Sequence, residues 1–310
     1  MKILFISSNL IGDSILSTGI LSSIKEENIN SKITLVTGPT SNQLFDSFPN
    51  IEKIIIIKKM KLNFHWMILW LKLINNKWDL IIDLRSSAIS YFLFTKKRKI
   101  FKRNNKPITQ VEKLSNFMNY NEIKKPKIYI NNLDKNSSNL IIKNKYVIAI
   151  SPGGNWEPKI WPSLSYNNLI KKIISMYPEK KIYFLIVGSN LEYTKYFNDI
   201  TKGIEKETFI NIMGKSLSLT FGCLEKSKLF IGNDSGLMHL AAASGISTIG
   251  LFGPTRDDWY RPYGENCYVI RTKENFKQLR KDNNNFNSTL MNSIEVSDIT
   301  NLILTKKLIQ

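Results

Sequence analysis

Lys228-Leu229-Phe230-Ile231-Gly232-Asn233-Asp234-Ser235-Gly236-Leu237-Met238-His239 passes from a short apolar run through a tight polar turn into a second apolar run. The first run, 228–232, reads as a buried strand, the second, 237–244, as a helix, and residues 248–252 as another strand. A strand, a helix and a strand at this spacing predict a crossover unit in a parallel α/β sheet. The alternation continues outward. Upstream lie a strand at 146–151, a helix at 166–177, a strand at 181–187 that ends at Gly188, a helix from 191, a strand at 209–212 and a helix at 219–227. Near the N-terminus the same rhythm gives strands at 2–7, 33–36, 51–57 and 79–83, with helices at 14–27, 42–48 and 62–74.

The two series predict two α/β domains, 1–142 and 143–310, joined through the Asn-, Ser- and Lys-rich stretch 131–145. Open α/β sheets bind ligands beyond the carboxyl ends of their strands, so a cleft between two such domains is the expected place for a nucleotide and a second substrate. Residues 265–290 read as an irregular polar excursion. Residues 294–310 read as a closing strand or helix that could return to the N-terminal domain.

Lys and Arg number 44 against 25 Asp and Glu, a formal charge of +19. Residues 1–142 hold 22 basic and 10 acidic residues, net +12, and the other 168 hold 22 and 15, net +7. An excess of this size calls for an anionic partner, met more by the N-terminal half. No helix-turn-helix, zinc-finger, RNA-recognition or KH signature accompanies it, which argues against nucleic acid. The two cysteines, Cys223 and Cys267, have no metal-ligand spacing and fit a reduced, cytosolic chain, with Cys223 as core filler. The opening apolar run is too short for a signal peptide, and no run of 18 apolar residues predicts a spanning helix.

Three loops carry candidate chemistry. At 233–239, unpaired N–H groups at a helix start favour an anion, Gly236 lets a phosphate approach, Ser235 offers a hydroxyl, and His239 follows on the same helical face. The alternatives are that Asp234 or Ser235 merely caps the helix and that His239 is structural. The loop from Ser151-Pro152-Gly153-Gly154 to Lys159-Ile160-Trp161-Pro162 is long and glycine-rich; Lys159 there is a phosphate-neutralising charge or a solvated side chain. Asp13, at the tip of the first strand–helix loop, is a general base or a helix cap. Phosphate-loop, dinucleotide-fingerprint and zinc-protease motifs are absent, and so is a D-x-D pair. A leaving diphosphate would then be stabilised by helix N-termini, Lys and His, with no metal and no cofactor.

Together these stretches resemble glycosyltransferase family 9, whose best-known members are bacterial ADP-heptose:lipopolysaccharide heptosyltransferases. The resemblance rests on Ile11-Gly12-Asp13, Trp78-Asp79-Leu80-Ile81-Ile82-Asp83-Leu84, the 152–162 loop, Gly188 with Glu192, and Asn233–His239 followed by Leu251-Phe252-Gly253-Pro254-Thr255. It implies a GT-B fold and an inverting transfer of a sugar, heptose from ADP-heptose foremost, to a lipopolysaccharide core or related phosphorylated glycolipid. It further implies that Asp13 deprotonates the acceptor hydroxyl, that Lys159 binds the donor phosphates, and that Asp234, Ser235, Gly236 and His239 line the diphosphate and sugar. Glu192 looks like the acid that holds the ribose, and Gly153 and Gly154 stand where some members carry small hydroxyl residues. A same-family transferase with another nucleotide sugar, for O-antigen or capsule, and a non-catalytic nucleotide-sugar or glycan-binding protein are the other readings.

Lys58, Lys59 and Lys61, just before Phe64, Trp66 and Trp70, form one basic and aromatic segment. The run 96–103, with Lys97, Arg98 and Arg103, forms a second. Both suit a phosphorylated acceptor or the anionic inner face of the inner membrane, which would make the protein a peripheral one. A basic face solvated by water is the alternative.

Overall fold

The computed structural model describes residues 1–281 and 287–310. The chain divides into two compact units, Met1–Ile130 and Asn131–Gln310.

The first unit contains β1 (Lys2–Ile6), α1 (Ile11–Glu27), β2 (Lys32–Thr37), β3 (Ile51–Ile56), α2 (Phe64–Leu73), β4 (Trp78–Asp83), β5 (Thr95–Ile100) and α3 (Gln110–Met118). Its five strands are parallel in the order β3-β2-β1-β4-β5. Leu4, Ile6 and Ile81 of this sheet pack with Leu69 and Leu73 of α2, with Trp66 and Trp70 against the same core. Continuous apolar strands such as Lys2–Ile6 fit a sheet covered on both faces. β5 was hidden in the basic run: three Lys and an Arg in six residues have low strand propensity, but they keep an edge strand from pairing with another chain.

The second unit contains α4 (Asn132–Ile142), β6 (Tyr146–Ser151), α5 (Ser163–Met176), β7 (Ile182–Ile186), α6 (Asn190–Thr201), β8 (Phe209–Asn211), α7 (Leu217–Leu224), β9 (Leu229–Asn233), α8 (Gly236–Ser244), β10 (Ser247–Phe252), α9 (Asp257–Tyr260), β11 (Cys267–Arg271), α10 (Phe276–Lys281) and α11 (Val296–Thr305). Six parallel strands run in the order β11-β10-β9-β6-β7-β8. The polar stretch expected as a linker is itself helix: Asn131 caps α4, and α4 packs on α7. The join therefore falls at residue 130 rather than 142, because α4 packs on α7 of the second unit. The stretch 265–290, expected to be irregular, contributes β11 and α10. Residues 282–286 of that stretch lie outside the described residues.

The closing helix packs within the second unit. Ile299 and Ile303, one turn apart on α11, are fully buried in the second core beside Ile170 and Ile173 of α5. Replacing Ile303 with Ala should lower the unfolding free energy by about 2–5 kcal/mol, measured by denaturant titration. A change within error would show that α11 adds little to that core.

Candidate functional site

Both sheets reverse their strand order near the centre, between β1 and β4 in the first unit and between β6 and β9 in the second. Loops leaving adjacent strand ends there run in opposite directions and open a crevice.

In the second unit those loops follow β6 and β9, and Asn233, the buried last residue of β9, ties them together. Its Nδ2 donates to Pro152 O at 2.8 Å and Gly153 O at 3.2 Å. Its Oδ1 accepts from Trp161 N at 3.0 Å and from the Tyr166 hydroxyl at 3.0 Å. The far side of the β6 loop is held by the C-terminal segment: Leu290 N donates to Pro158 O at 2.9 Å and the Trp161 indole to Ile294 O at 3.0 Å.

The loop so fixed brings Lys159 Nζ to 3.8 Å from Asp234 Oδ2, with both side chains nearly buried. At that distance the two attract as charges without a hydrogen bond, which leaves the ammonium able to donate elsewhere. Ser235 precedes α8 in extended conformation and makes no side-chain cap, so the capping alternative fails for its hydroxyl. Ser235 Oγ, His239 Nδ1 and, in the loop after β10, Thr255 Oγ1 are buried without hydrogen-bond partners. Each such atom costs about 1–3 kcal/mol until something satisfies it. Burial pushes the His239 imidazole down to about 4; the Asp234 carboxylate opposes this and the Lys159 ammonium adds to it. His239 is thus neutral at physiological pH and offers a ligand a hydrogen bond rather than a charge.

A second group lies beside the first. Ser189 N donates to Glu192 Oε2 at 2.6 Å and Glu192 N to Ser189 Oγ at 3.3 Å, a capping box that starts α6. A methyl added at Gly153 would stand 1.9 Å from Glu192 Oε1, and one at Gly188 3.0 Å from Oε2. Those two glycines admit the Glu192 carboxylate to the loops after β6 and β7. At Gly154 a methyl would meet only Lys159 Cε at 3.7 Å and Ile160 at 3.6 Å, so a side chain fits there and not at Gly153. The nine positions singled out in this half thus fall into two adjoining clusters, Lys159 with Asp234, Ser235, Gly236 and His239, and Glu192 with Gly153 and Gly188, with Gly154 next to Lys159.

In the first unit Asp13 sits inside the first turn of α1, which begins at Ile11 rather than Ser14. Leu10, the residue before the helix, has no capping side chain; its N–H donates to Ser8 Oγ at 3.2 Å, and Ser8 Oγ donates to Asp13 Oδ2 at 3.3 Å. Across the crevice, Arg85 after β4 donates to Asn9 Oδ1 at 3.0 Å and lies 4.8 Å over the Trp66 ring. Burial lowers the Arg85 pKa against the opposing Asp83 carboxylate. Asp83 is fully buried and accepts from Arg85 N at 2.8 Å, Ser87 N at 2.8 Å and the Ser87 and Ser90 hydroxyls.

The basic positions lie elsewhere on this unit. Lys58, Lys59 and Lys61 are exposed ahead of α2, and Lys97 and Arg103 are exposed on and just beyond β5. Arg98 is committed to the backbone: Nε donates to Ser90 O at 2.6 Å and a terminal nitrogen to Leu93 O at 3.1 Å. Trp66 and Trp70 also depart from expectation, since they turn inward onto the core. Among the described residues no three His, Cys, Asp or Glu converge as metal ligands would.

The sequence profile of glycosyltransferase family 9 (heptosyltransferase) matches residues 85–289, well over half of the chain. The chain belongs to glycosyltransferase family 9. A lipooligosaccharide heptosyltransferase 2 of Campylobacter jejuni serotype O:6 is 30% identical over 276 residues, covering 83% of each chain. A family 9 glycosyltransferase of Veillonella parvula superposes with a TM-score of 0.77 at 17% identity, over 98% of this chain and 96% of that one. The Escherichia coli ADP-heptose heptosyltransferase II superposes with a TM-score of 0.74 at 19% identity, over 99% and 100%. The fold is accordingly GT-B, built from the two parallel α/β units described above, and this family 9 chain is a glycosyltransferase.

Sequence patterns of the family did not reveal what Asn233, Asp83 and Arg85 do. All three stand at or just after the end of a strand beside a crevice, a position that signals importance without specifying a partner.

Replacing Asn233 with Asp sets a carboxylate against two carbonyl oxygens. It should lower the unfolding free energy by about 2–3 kcal/mol or more and weaken nucleotide binding; denaturant titration and calorimetry measure both. His239 gives a pH signature. The unfolded imidazole binds its proton near 6.5 and the folded one near 4, so the stabilisation is complete above 6.5 and is lost as the pH falls toward 4. The difference in unfolding free energy between wild type and His239→Gln should shift across that window by up to about 3 kcal/mol, and a flat difference would mean that His239 is not buried neutral.

Proposed function

We propose that this enzyme transfers heptose from ADP-heptose to a lipopolysaccharide or lipooligosaccharide core. The observation that carries the reading is the Lys159–Asp234 pair at the start of α8, surrounded by unsatisfied Ser235 and His239 atoms. A nucleoside diphosphate supplies the oxygens this arrangement lacks. Support for the sugar and acceptor comes from the relatives, which carry the names lipooligosaccharide heptosyltransferase 2 and ADP-heptose lipopolysaccharide heptosyltransferase II.

In this mechanism the acceptor hydroxyl attacks the anomeric carbon and Asp13 takes its proton. The bond from that carbon to the diphosphate oxygen breaks, and the nucleoside diphosphate leaves with the electron pair, so the configuration inverts. Lys159 and the N–H groups at the start of α8 meet the growing negative charge with donors already in place. Asp234, itself an anion, cannot sit on phosphate; it orients Lys159 and accepts from sugar hydroxyls. Neutral His239 and Ser235 hydrogen-bond the diphosphate or sugar, and Glu192 accepts from the ribose hydroxyls. No cofactor enters this scheme.

A lipid-linked acceptor places the enzyme at a membrane surface, and the charge of +19 suits an anionic cytoplasmic leaflet. Among the described residues no helix is long and apolar enough to cross a membrane, and in this reading the contact is peripheral. Lys58, Lys59, Lys61, Lys97 and Arg103 supply its charge.

Calorimetric titration with a panel of nucleoside diphosphates and their sugars tests the donor. ADP and ADP-heptose should bind selectively, with Lys159→Ala abolishing most of the affinity; preference for UDP, GDP or TDP would assign another sugar. Asp13→Ala should lower kcat by about 10²–10⁴-fold while leaving ADP-heptose binding intact, and a wild-type rate would remove Asp13 as the base.

A further inference from the structure

α2 is apolar on two opposite sides. Its sequence Phe64-His65-Trp66-Met67-Ile68-Leu69-Trp70-Leu71-Lys72-Leu73 has one charged residue. His65, Leu69 and Leu73, spaced by one turn, face the core of the first unit. Phe64, Met67, Ile68 and Leu71 have the same helical spacing on the other side and are exposed. A helix with apolar residues all round belongs in an apolar medium on every side, and this one has protein on only one.

Two neighbours enlarge the patch. Leu62, in the turn before α2, is 88% exposed and held at φ 51°, followed by Asn63 at φ 60°. Consecutive non-glycine residues in the left-handed region are strained, and here the strain points a leucine into solvent. On the other flank the segment after β4 presents Phe92 and Phe94, 68% and 66% exposed. This segment is fixed to α2 by the Trp70 indole, which donates to Phe92 O at 3.0 Å, and to β5 by Arg98.

The charge around the patch identifies its partner. Residues 53–78 and 84–111 contain fourteen Lys and Arg and no Asp or Glu. A second copy of the chain docked by two-fold symmetry would set lysines against lysines, which is repulsive. A bilayer bearing anionic headgroups over hydrocarbon matches both the rim and the centre.

We propose that α2, its preceding turn and the 88–94 segment form an insertion wedge. Leu62, Phe64, Leu71, Phe92 and Phe94 enter the headgroup–acyl boundary of an anionic bilayer while Lys58, Lys59 and Lys61 bind the headgroups. This deepens the membrane reading given above and rests on it. It differs from adsorption by charge alone in placing hydrocarbon contact at named side chains.

The test is flotation of the full chain with phosphatidylglycerol-containing or pure phosphatidylcholine vesicles, using wild type and the triple variant Leu62→Ser, Phe64→Ser, Phe92→Ser. All three side chains are exposed, so the variant should unfold at the wild-type Tm. Wild type should bind the anionic vesicles and keep part of that binding in about 1 M salt, where charge attraction is screened within ~3 Å; the variant should lose about tenfold or more. A variant that floats like wild type overturns the wedge and leaves membrane adsorption to the lysines. Failure of wild type to float with any vesicle overturns the membrane reading and the wedge with it. Light scattering that shows a wild-type dimer made monomeric by the same substitutions assigns the patch to a second copy and overturns the proposal.

Discussion

One side-chain amide organises the second unit. Asn233 makes four hydrogen bonds at the end of β9, two as donor to carbonyls of the β6 loop and two as acceptor from Trp161 and Tyr166. Only an amide matches that set, because a carboxylate has no donors and an apolar chain would strand four buried groups. The β6 loop carries Lys159, and the residue after Asn233 is Asp234. Their approach is therefore imposed by the same amide that ends the strand. The first unit repeats the device with a different group. Asp83 ends β4 in full burial and gathers the N–H and hydroxyl groups of residues 85–90 around its carboxylate. In each half a buried polar side chain at the strand-order reversal gives the ligand-facing loop its shape.

The second unit was the more legible half. Its strands β6 to β10 are apolar runs closed by glycine or polar turns, so their approximate limits follow from the residue pattern, whereas β11 lay in a stretch read as irregular. Lys159 and Asp234, 75 positions apart, were brought to one diphosphate by the family resemblance, and the parallel sheet that sets β6 beside β9 is what joins them. What the pattern left out has local causes. β5 is written in lysine and arginine, and its edge position tolerates them. α4 is built from Asn, Ser and Lys, residues that also compose linkers, and its helicity depends on the Asn131 cap and on packing against α7. α11 had no assigned neighbour, because an amphipathic helix fixes which face is buried without fixing what covers it.

The candidate site was legible as positions more than as interactions. Glu192 shows the difference. Its spacing from Gly188 marks a family pattern, whereas the structure shows that Oε2 closes a capping box beside Gly188 and Oε1 fills the space that Gly153 leaves. Arg98 shows the reverse. As one of several consecutive cations it looked available to an acceptor, and it is occupied holding the 88–94 segment to the sheet edge. Phe64, Trp66 and Trp70 were read as the interfacial aromatics of α2; the helix packs both tryptophans against the core and presents Phe64 with Met67 and Leu71.

The two cysteines have a consequence for redox chemistry. Both are free, and burial pushes each thiol up to about 11. At neutral pH only about one molecule in 10⁴ carries a thiolate at either position, and the thiolate is the species that oxidants and alkylating reagents attack. Burial therefore disfavours the reactive thiolate form of both cysteines. The chain should survive handling in air without reductant, and one cysteine introduced at the surface would be the dominant site for a covalent reporter.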